Sequence, residues 1–566
     1  MLILGIWDGH DSGAALLNDR DILFAINEER LTRRKLEIRF PEKSIEYALE
    51  YTGSKKEDVK AIAVSTSEFA KTLWRMFPSL KENYYLIRRK KKDYSSLLAF
   101  KKNIKYKVTE LQLDPISKSI STRILNNKLE KMGFKNYQLF FNDHHLCHAA
   151  CTAFTSGFDK SLVVTIDGIG DALSGTISRF ENGKLERIKT ISGKNSFGIF
   201  FEHVTNLMNM RELEDEGKVM ALANYALKIE DESNPLLDFF KLDGINVKTK
   251  YSSLKTYKEL KKVLWKYPSE QFAYMAQRAL EIHMTKLIQN AVKETGLTKI
   301  CLCGGTCSNI KVNMLVKNLP EVEDIYVFPH MGDGGLAIGS AMLANYELNG
   351  ISKYEFKNVY FGPEYSNDYI KKALDNSGLK NIDVRYSEDI EKETAKLLHQ
   401  GNIVLWFQGR MEFGPRALGS RSILAPPHSE EIKNELNLIQ KKRVWYQPFC
   451  PSMLVDDAKA LLEDLKGTPN AFMTMGYMVK KEKQHLVKGV MNIDGSCRPQ
   501  IITDYNSRYA KLLLEYKKLS GTGVLLNTSF NLHGEPLICS PQDALSTFSR
   551  TPAKYLILEN YIVTKK

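Results

Sequence analysis

Short apolar segments that run directly into turns rich in glycine and aspartate constrain this chain more than any other feature. The first 30 residues read LILGIW, DGHDSG, AALLN and DILFAI, a pattern that predicts strands joined by tight turns. An amphipathic pattern over 271–296 ends at Gly296 and leads straight into the apolar segment KICLCGG. Because helices that alternate with buried strands are typical of α/β domains, we predict an α/β fold.

A break in the helical pattern at 345–367 predicts a domain boundary, since Gly, Ser, Asn and Pro accumulate there. A length of 566 residues suits about two to four domains. We therefore expect an N-terminal domain over 1–355 and a second α/β domain over 356–566.

The net charge of +13 is concentrated in a basic insertion at about 81–107, where aromatic residues are interleaved with Lys and Arg. Such a stretch is either a solvated basic surface or a contact for polyanions such as nucleic acid. No apolar run approaches the roughly 18 residues of a membrane span, and no signal peptide is recognisable. The eight cysteines form no CxxC pair, which favours a reducing, cytoplasmic location.

The spacing His144-x-x-x-His148 places two imidazoles on one face of a predicted helix, where they could share a divalent metal. Asp167 ends the apolar strand SLVVTID, and Asp333 lies in the glycine-rich turn HMGDGG. Two His and two Asp would suit Fe(II), Zn(II) or Mn(II) if they converge. Otherwise they are helix-face histidines and turn aspartates, and the spacing alone leaves both interpretations open.

Two glycine-rich turns could hold phosphates on backbone N–H groups. One contains Gly304 and Gly305 and continues to Asn309, and the other contains Ser12 in the first hairpin. Paired turns of this kind are typical of actin-like ATPases, although many strand–helix turns use two glycines without binding an anion.

Three arginines, Arg410, Arg416 and Arg421, lie in the loop GRMEFGPRALGSRS and suit an anion clamp. Lys441 follows nearby. The polar turn NTSFNLHGEP, which begins at Asn527, is either a phosphate grip or an ordinary turn.

Ten segments together resemble the O-carbamoyltransferase family that includes the nodulation, cephamycin and tobramycin enzymes. In chain order these segments are GHDSGAALL at 9–17, EERLTRRK at 28–35, HHLCHAA at 144–150, DGIGD at 167–171, DEGKVMALANY at 215–225, GGTCSN at 304–309, MGDGGLAIG at 331–339, QGRMEFGPRALGSRSIL at 408–424, DGSCRPQ at 494–500 and NTSFNLHGEP at 527–536. The resemblance spans nearly the whole chain.

The resemblance implies an N-terminal actin-like ATPase (ASKHA) fold, similar to the tRNA threonylcarbamoyl transferases, and a C-terminal YrdC-like domain. It implies that the C-terminal domain makes carbamoyl adenylate from carbamoyl phosphate and Mg²⁺-ATP. The carbamoyl group would then pass to an acceptor hydroxyl at a metal site in the N-terminal domain. A role in tRNA threonylcarbamoylation itself fits less well, because those proteins lack the long arginine loop.

The resemblance also implies roles for individual residues. The metal, expected to be Fe(II) or another divalent ion, would be held by His144, His148, Asp167 and Asp333. Catalytic roles are expected for His10, Lys218, Arg416 and Lys441, with His10 near the acceptor. The residues expected to bind nucleotide, carbamoyl or phosphate groups are Ser12, Gly304, Gly305, Asn309, Arg410, Arg421, Arg498, Asn527 and Ser529.

The segment KKRVWYQPF departs from the family pattern, because Val444 replaces an acid and Gln447 an anion-binding arginine. Three functions therefore stay open: transfer to a small natural product or sugar, transfer to a hydroxymethylated pyrimidine in DNA through the basic insertion, and non-catalytic binding of nucleotide or RNA. No membrane partner is expected, and a homodimer is left open.

Overall fold

A computed structural model describes residues 1–91 and 114–566. These residues form two compact units, Met1–Glu28 with Leu36–Lys357 and Glu29–Lys35 with Asn358–Lys566. The main division falls close to the boundary that the sequence predicts after residue 355. The sequence pattern does not predict that 29–35 belongs to the second unit. Residues 92–107 of the predicted basic insertion lie outside the described residues.

The first unit contains twelve of the described strands: β1 (Leu2–Trp7), β2 (Gly13–Asn18), β3 (Asp21–Asn27), β4 (Val59–Ser65), β5 (Gln138–Asn142), β6 (Lys160–Gly170), β7 (Leu173–Glu181), β8 (Lys184–Ser192), β9 (Phe240–Asp243), β10 (Asn246–Thr249), β11 (Lys299–Cys303) and β12 (Asp324–Val327). Helix α1 (Glu28–Thr32) begins at the last residue of the first segment of this unit, and its other residues belong to the second unit. The other helices of the first unit are α2 (Glu42–Thr52), α3 (Phe69–Met76), α4 (Pro78–Arg88), α5 (Pro115–Lys131), α6 (His144–Thr155), α7 (Phe197–Leu207), α8 (Glu216–Leu222), α9 (Ser253–Leu264), α10 (Ser269–Thr295), α11 (Ile310–Lys317) and α12 (Leu336–Asn349).

Two five-stranded sheets of this unit share one plan. Their strand orders are β3-β2-β1-β4-β5 and β8-β7-β6-β11-β12. In each sheet three consecutive strands pair antiparallel, and the next two strands extend the sheet in parallel from the first of them. This duplicated order is the arrangement of the actin-like fold, so the fold class predicted for this unit is confirmed.

Helices α6 and α12 pack on each other, with α6 also against β6 and β11 and α12 against β1 and β4. Glycine makes the close approach possible. A Cβ on Gly5 would lie 1.9 Å from the Ala337 carbonyl oxygen, and one on Gly339 would lie 2.2 Å from that of Cys147. The close packing brings together side chains at the start of α6 and in the turn before α12.

The second unit is built on an eight-stranded mixed sheet of order β13-β22-β21-β14-β15-β20-β16-β19. The strands of this sheet are β13 (Ile382–Tyr386), β14 (Val404–Phe407), β15 (Arg421–Ala425), β16 (Cys450–Leu454), β19 (Gln500–Ile502), β20 (Val524–Ser529), β21 (Tyr555–Leu558) and β22 (Tyr561–Lys565). Two further strands of the unit, β17 (Tyr477–Met478) and β18 (Ser496–Cys497), pair with each other. The helices of the second unit are α13 (Asn367–Asp375), α14 (Ile390–His399), α15 (Glu430–Glu435), α16 (Val455–Leu461), α17 (Arg508–Ser520) and α18 (Pro541–Ser549). Trp406 and Leu513 belong to the apolar core between this sheet and α14 and α17.

All eight cysteines are buried and unpaired by disulfides. Within residues 1–91 and 114–566, every helix is too short or too polar to cross a membrane.

Candidate metal centre and anion site

Four side chains of the first unit converge as the sequence suggested they might. His144, His148, Asp167 and Asp333 each offer one ligand atom, and these atoms all lie within 4.8 Å of one another. The Asp167 Oδ2 atom is 3.1 Å from Nε2 of His144 and 3.3 Å from Nε2 of His148. Asp333 Oδ1 lies 3.6 and 3.5 Å from the same two nitrogens.

Each of the four residues comes from a position that the fold fixes. Asp143 caps α6 by accepting a 2.7 Å hydrogen bond from the Leu146 amide, so His144 and His148 occupy the first turns of that helix. Asp167 lies on β6 beyond its regular pairing with β7. Asp333 lies in the turn that leads into α12. The packing of α6 against β6 and α12 therefore builds the group.

The orientation of the ligand atoms is also fixed. Oδ1 of Asp167 accepts hydrogen bonds from the amides of Gly168 at 2.8 Å and Gly305 at 3.2 Å, which leaves Oδ2 facing the imidazoles. The Nδ1 atom of His148 lies 3.4 Å from the Cys303 sulfur. Such outer contacts are what orient metal ligands in proteins.

The donor set suits a metal. Two imidazole nitrogens and two carboxylate oxygens match borderline divalent ions such as Fe(II), Zn(II) and Mn(II). His145, between the two candidate ligands in sequence, faces elsewhere: its ring nitrogens lie 2.9 Å from the Thr165 hydroxyl and 3.1 Å from the Leu173 carbonyl oxygen. The group could therefore hold a metal ion through His144 and His148, but not through His145.

His10 lies beside this metal group. Its Nδ1 atom is 3.1 Å from Oδ2 of Asp333. Its backbone carbonyl accepts a 2.7 Å hydrogen bond from the Trp7 indole, and its ring stacks on Tyr85 with centroids 5.5 Å apart and planes 14° apart. The structure therefore holds His10 on both sides, next to a candidate metal ligand.

Three cations in the described part of the basic stretch, residues 81–91, are buried and paired, whereas Lys90 and Lys91 are exposed. Lys81 is buried and donates to the backbone carbonyls of Asp8 and Ile38. Arg88 pairs with Glu202 and with Glu212, the latter at 2.6 Å. Arg89, also buried, pairs with Glu214. These charges hold the protein together because they face carboxylates and carbonyls of the same unit.

The turn at Gly304 and Gly305 also differs from a free phosphate cradle. Gly304 has a φ of +99°, and a Cβ there would lie 2.2 Å from the Ile166 carbonyl oxygen. Since the Gly305 amide donates to Asp167, this turn helps to orient a candidate metal ligand. The side chain of Asn309 caps α11 and exchanges hydrogen bonds with Gln277.

Two other residues expected at the first-unit site lie as follows. Lys218, on α8, pairs with Asp215 at 2.8 Å. The Ser12 hydroxyl is buried and meets no hydrogen-bond partner among the described residues. Among the residues that the structure describes, the ion pair of Lys218 and the side-chain hydrogen bonds of Asn309 do not reach the metal group.

A second cluster, in the second unit, concentrates positive charge. Arg498 donates to the Cys450 sulfur from Nε at 3.1 Å and Nη2 at 2.9 Å. Burial lowers the pKa of Arg416 to about 9, with the charge of Arg498 adding to the effect. Burial also lowers the pKa of Arg443 to about 9, and Arg498 again contributes. The site prediction had not included Arg443, although its position in the KKR run was a visible signal.

Lys441 extends this cluster, called here the arginine cluster (Arg416, Lys441, Arg443, Arg498). Burial and then the charge of Arg443 hold the pKa of Lys441 well below its usual range. Its ammonium donates to Ser529 and Asn531, including a 2.8 Å bond to Oδ1 of Asn531. Burial disfavours the charged forms of Arg416, Lys441 and Arg443, so an anion bound among them would stabilise these cations.

Two arginines of the predicted anion clamp, Arg410 and Arg421, donate hydrogen bonds to backbone carbonyls. Arg421 is fully buried, stacks on Phe407, and donates to five backbone carbonyls. Arg410 donates to the carbonyls of Phe361 and Gly362. Asn527 is buried as well and ties the loop to its neighbours through the Ala417 carbonyl and the Ser452 hydroxyl. Arg416 alone of the three loop arginines therefore contributes to the arginine cluster.

Comparison with known proteins covers almost the whole chain. The family model described as carbamoyltransferase N-terminus matches residues 2–342, and the one described as carbamoyltransferase C-terminus matches residues 395–565.

Two relatives align with all or nearly all of this chain. An uncharacterized protein of Methanocaldococcus jannaschii is 32% identical over 100% of both chains. The nodulation protein NolNO of Sinorhizobium fredii is 30% identical over 98% of this chain and 79% of its own. Among solved structures, full-length HypF in a phosphate- and nucleotide-bound form aligns with a TM-score of 0.35 at 14% identity, over 62% of this chain and 47% of that one.

Proposed function

This chain belongs to the carbamoyltransferase family, and from that premise we propose that it is an ATP-dependent O-carbamoyltransferase. In the first step, water cleaves carbamoyl phosphate to carbamate and phosphate. A carbamate oxygen then attacks the α-phosphorus of ATP, the bond to the β-phosphate breaks, and pyrophosphate leaves to give carbamoyl adenylate. In the second step, an acceptor hydroxyl attacks the carbamoyl carbon, the bond to the adenylate phosphate breaks, and AMP leaves.

The observation that carries the proposal is the convergence of two imidazoles and two carboxylates within 4.8 Å beside His10. A divalent ion held there, for which we propose Fe(II), would stabilise the departing phosphate and lower the pKa of the acceptor hydroxyl. His10 is held by Asp333 through Nδ1, so its Nε2 can accept the hydroxyl proton. Proton transfer to a positioned imidazole typically contributes about 10²–10⁴-fold.

We assign the first step to the arginine cluster of the second unit. Arg416 and Arg443 are both disfavoured as cations where they lie, so a bound carbamoyl phosphate or ATP phosphate would relieve their burial cost. Arg498 and Lys441 would share the same anion. Gln447 cannot supply the charge that the family pattern expects, but Arg443 brings a guanidinium to this cluster. The pyrophosphate test below distinguishes catalysis from non-catalytic binding of nucleotide or RNA, because only catalysis releases pyrophosphate.

For the acceptor we propose a small hydroxyl compound. Transfer to a hydroxymethylated pyrimidine in DNA would need free cations for the phosphates. Within the described residues, Lys81, Arg88 and Arg89 of the basic stretch are bonded to protein groups, and this observation favours the small molecule.

The test is pyrophosphate release from the purified protein with Mg²⁺-ATP, in the presence and absence of carbamoyl phosphate. We expect release that depends on carbamoyl phosphate. Arg416→Ala and Arg443→Ala should each lower this release by about 10- to 100-fold, because a charge-assisted contact contributes about 1.5–3 kcal/mol. Arg385→Ala, at a half-exposed site on β13, is the matched control and should release pyrophosphate normally.

The two steps can be separated with one further variant. His144→Ala should retain pyrophosphate release and lose transfer to the acceptor. If His144→Ala lost pyrophosphate release as well as transfer while remaining folded, the assignment of the two steps to two sites would be wrong. Absence of pyrophosphate release under every condition, with acceptor pools included, would refute the proposed adenylate chemistry.

A further inference from the structure

A basic and aromatic surface lies on helix α9 and on the turn that joins it to α10, and it plays no part in the proposed mechanism. The sequence from 254 to 267 contains five lysines and a single acidic residue, Glu259. All five lysines are exposed to solvent. Together with the tryptophan that follows α9 they form what is called here the Trp265 surface (Lys255, Lys258, Lys261, Lys262, Lys266 and Trp265).

The opposite face of α9 anchors the helix to the first unit. Leu260 is fully buried, and α9 packs on α7. The Tyr257 hydroxyl donates a 3.1 Å hydrogen bond to Oδ1 of Asn206 on α7. Because these contacts lie on the buried side, substitutions on the solvent side leave the packing of the helix intact.

Two of the lysines are held near the protein surface by neighbouring groups. Lys262 pairs with Glu259 at 2.9 Å, and the Lys255 ammonium lies 5.0 Å from the ring centroid of Tyr251. The remaining three lysines of the Trp265 surface exceed the acidic groups of this segment, so an anion is the ligand that its charge suits.

The turn between α9 and α10 exposes an aromatic tip. Trp265 is 90% exposed, and residues 266–268 after it are exposed as well. Lys258 and Lys261 precede Trp265 by seven and four residues, so all three lie along one side of the helix. The tip therefore presents a large apolar ring with ammonium groups beside it.

The backbone of this tip is hydrogen-bonded within the protein. The amides of Trp265, Lys266 and Tyr267 donate to backbone carbonyls of the last turn of α9 at 3.1, 2.9 and 3.4 Å. Pro268, which follows, has no N–H group. A segment whose amides are satisfied internally can enter an apolar environment without stranding a donor. Backbone amides are also common contacts for the phosphates of nucleic acids, and these three are already engaged.

We propose that the Trp265 surface docks the protein on a bilayer of anionic phospholipids, with the indole in the interface and the lysines beside the headgroup phosphates. This inference goes beyond the proposed function and does not depend on it. Tryptophan suits a membrane interface because its ring is apolar and its N–H is polar. A lysine stem can lie along the apolar boundary while its ammonium stays among the headgroups.

The shape of the surface favours a bilayer over a single nucleic-acid strand. The side of a helix and the tip of a turn are convex and meet a flat surface, whereas proteins that bind single strands use a positively charged groove. A surface of this kind contains no long apolar run, which is why the sequence predicts no membrane partner. It depends on which residues the fold leaves exposed.

The test measures binding to vesicles of phosphatidylcholine with phosphatidylglycerol, and to vesicles of phosphatidylcholine alone, by co-sedimentation at about 0.15 M salt. We expect binding to the mixed vesicles and far weaker binding to the neutral ones. Lys258→Gln, Lys261→Gln and Lys266→Gln combined should weaken binding about 100-fold, because each lysine near an anionic surface contributes about fivefold. Trp265→Ala should weaken it about tenfold, the effect of withdrawing roughly 60 Å² of ring from the interface.

A charge-matched variant and a competing ligand complete the design. Lys371→Gln, Lys372→Gln and Lys380→Gln combined, at exposed positions of the second unit, should bind the mixed vesicles normally. All variants should keep the circular dichroism and the pyrophosphate release of the unchanged protein, and vesicle binding is read whether or not pyrophosphate is released. Absence of binding to the mixed vesicles would overturn the proposal, as would equal weakening in the two triple variants or unchanged binding in Trp265→Ala. Tighter, Trp265-dependent binding of a fluorescent single-stranded oligonucleotide would assign the surface to nucleic acid instead.

Discussion

The three histidines at the start of α6 allow a sharp test of the metal centre. His144 and His148 direct Nε2 at Asp167 and Asp333, whereas His145 between them bonds Thr165 and the Leu173 carbonyl. All three are buried. Alanine substitutions at these positions remove the same side chain from the same helix, but only those at 144 and 148 remove a candidate metal ligand.

The expected magnitudes differ by variant. Changes to residues that merely orient a ligand cost about 10–100-fold in metal affinity, so removing a ligand in His148→Ala should cost more than about 100-fold. That loss corresponds to about 2.7 kcal/mol or more of binding free energy. His145→Ala removes no candidate ligand but deletes the contacts with the buried Thr165 hydroxyl and the Leu173 carbonyl, which should lower the free energy of unfolding by about 1–3 kcal/mol.

The assay is calorimetric titration of metal-free protein with Fe(II) under anaerobic conditions, and with Zn(II) and Mn(II), followed by elemental analysis. Thermal unfolding by circular dichroism checks that each variant is folded. If His145→Ala is too unstable to handle, His145→Gln keeps a hydrogen-bonding side chain and serves instead. Equal loss of affinity at positions 145 and 148, or full affinity in His148→Ala, would refute the four-ligand group.

Three further predictions follow from the same contacts. Metal affinity should rise with pH, by up to about one decade per unit for each histidine proton that the ion displaces. Burial opposes protonation of His144, but Asp333 and Asp167 raise its pKa overall, so the ion must displace a proton below that raised pKa. A pH-independent affinity in titrations from pH 6 to 8 would contradict this. Gly304→Ala should lower the free energy of unfolding by about 3 kcal/mol or more, because the φ of Gly304 is +99° and the added Cβ would lie 2.2 Å from a backbone oxygen. Gly217→Ala is the control in the same thermal unfolding assay and should be neutral or slightly stabilising, because open space surrounds that position. Arg33→Ala should lower the free energy of unfolding by about 1–3 kcal/mol and increase amide hydrogen exchange around 536–543. The reason is that Arg33 donates hydrogen bonds to the Pro536 and Leu537 carbonyls at 3.0 and 2.6 Å. Unchanged exchange in this segment would contradict the prediction.

Much of the secondary structure could be predicted from local patterns. The helix expected over 271–296 is observed as Ser269–Thr295 with Gly296 in the left-handed conformation that ends it. The strand and turn around KICLCGG are observed with β11 over Lys299–Cys303. These features depend on periodicity and on the conformational preferences of neighbouring residues, which are properties of short stretches of sequence.

The candidate metal ligands were also visible as types and spacings, since a helical His-x-x-x-His and aspartates after strands are local signals. Their convergence was not visible, because it depends on how the turn before α12 packs against α6 and β6, which lie more than a hundred residues earlier in the chain. The sequence alone therefore named His144, His148, Asp167 and Asp333 without deciding whether they meet.

The roles of the arginines could not be predicted from local sequence, because each role depends on which group the guanidinium contacts. Arg410, Arg416 and Arg421 look alike in the loop sequence, yet Arg421 bonds backbone carbonyls while Arg416 lies near Arg498. Arg88 and Arg89, in a stretch that resembles a solvated basic surface, are paired with glutamates from distant segments. The sequence by itself determined the elements, the fold class and the set of chemical groups. The tertiary structure decided which of those groups are engaged, because burial and partner distances arise only when distant segments pack together.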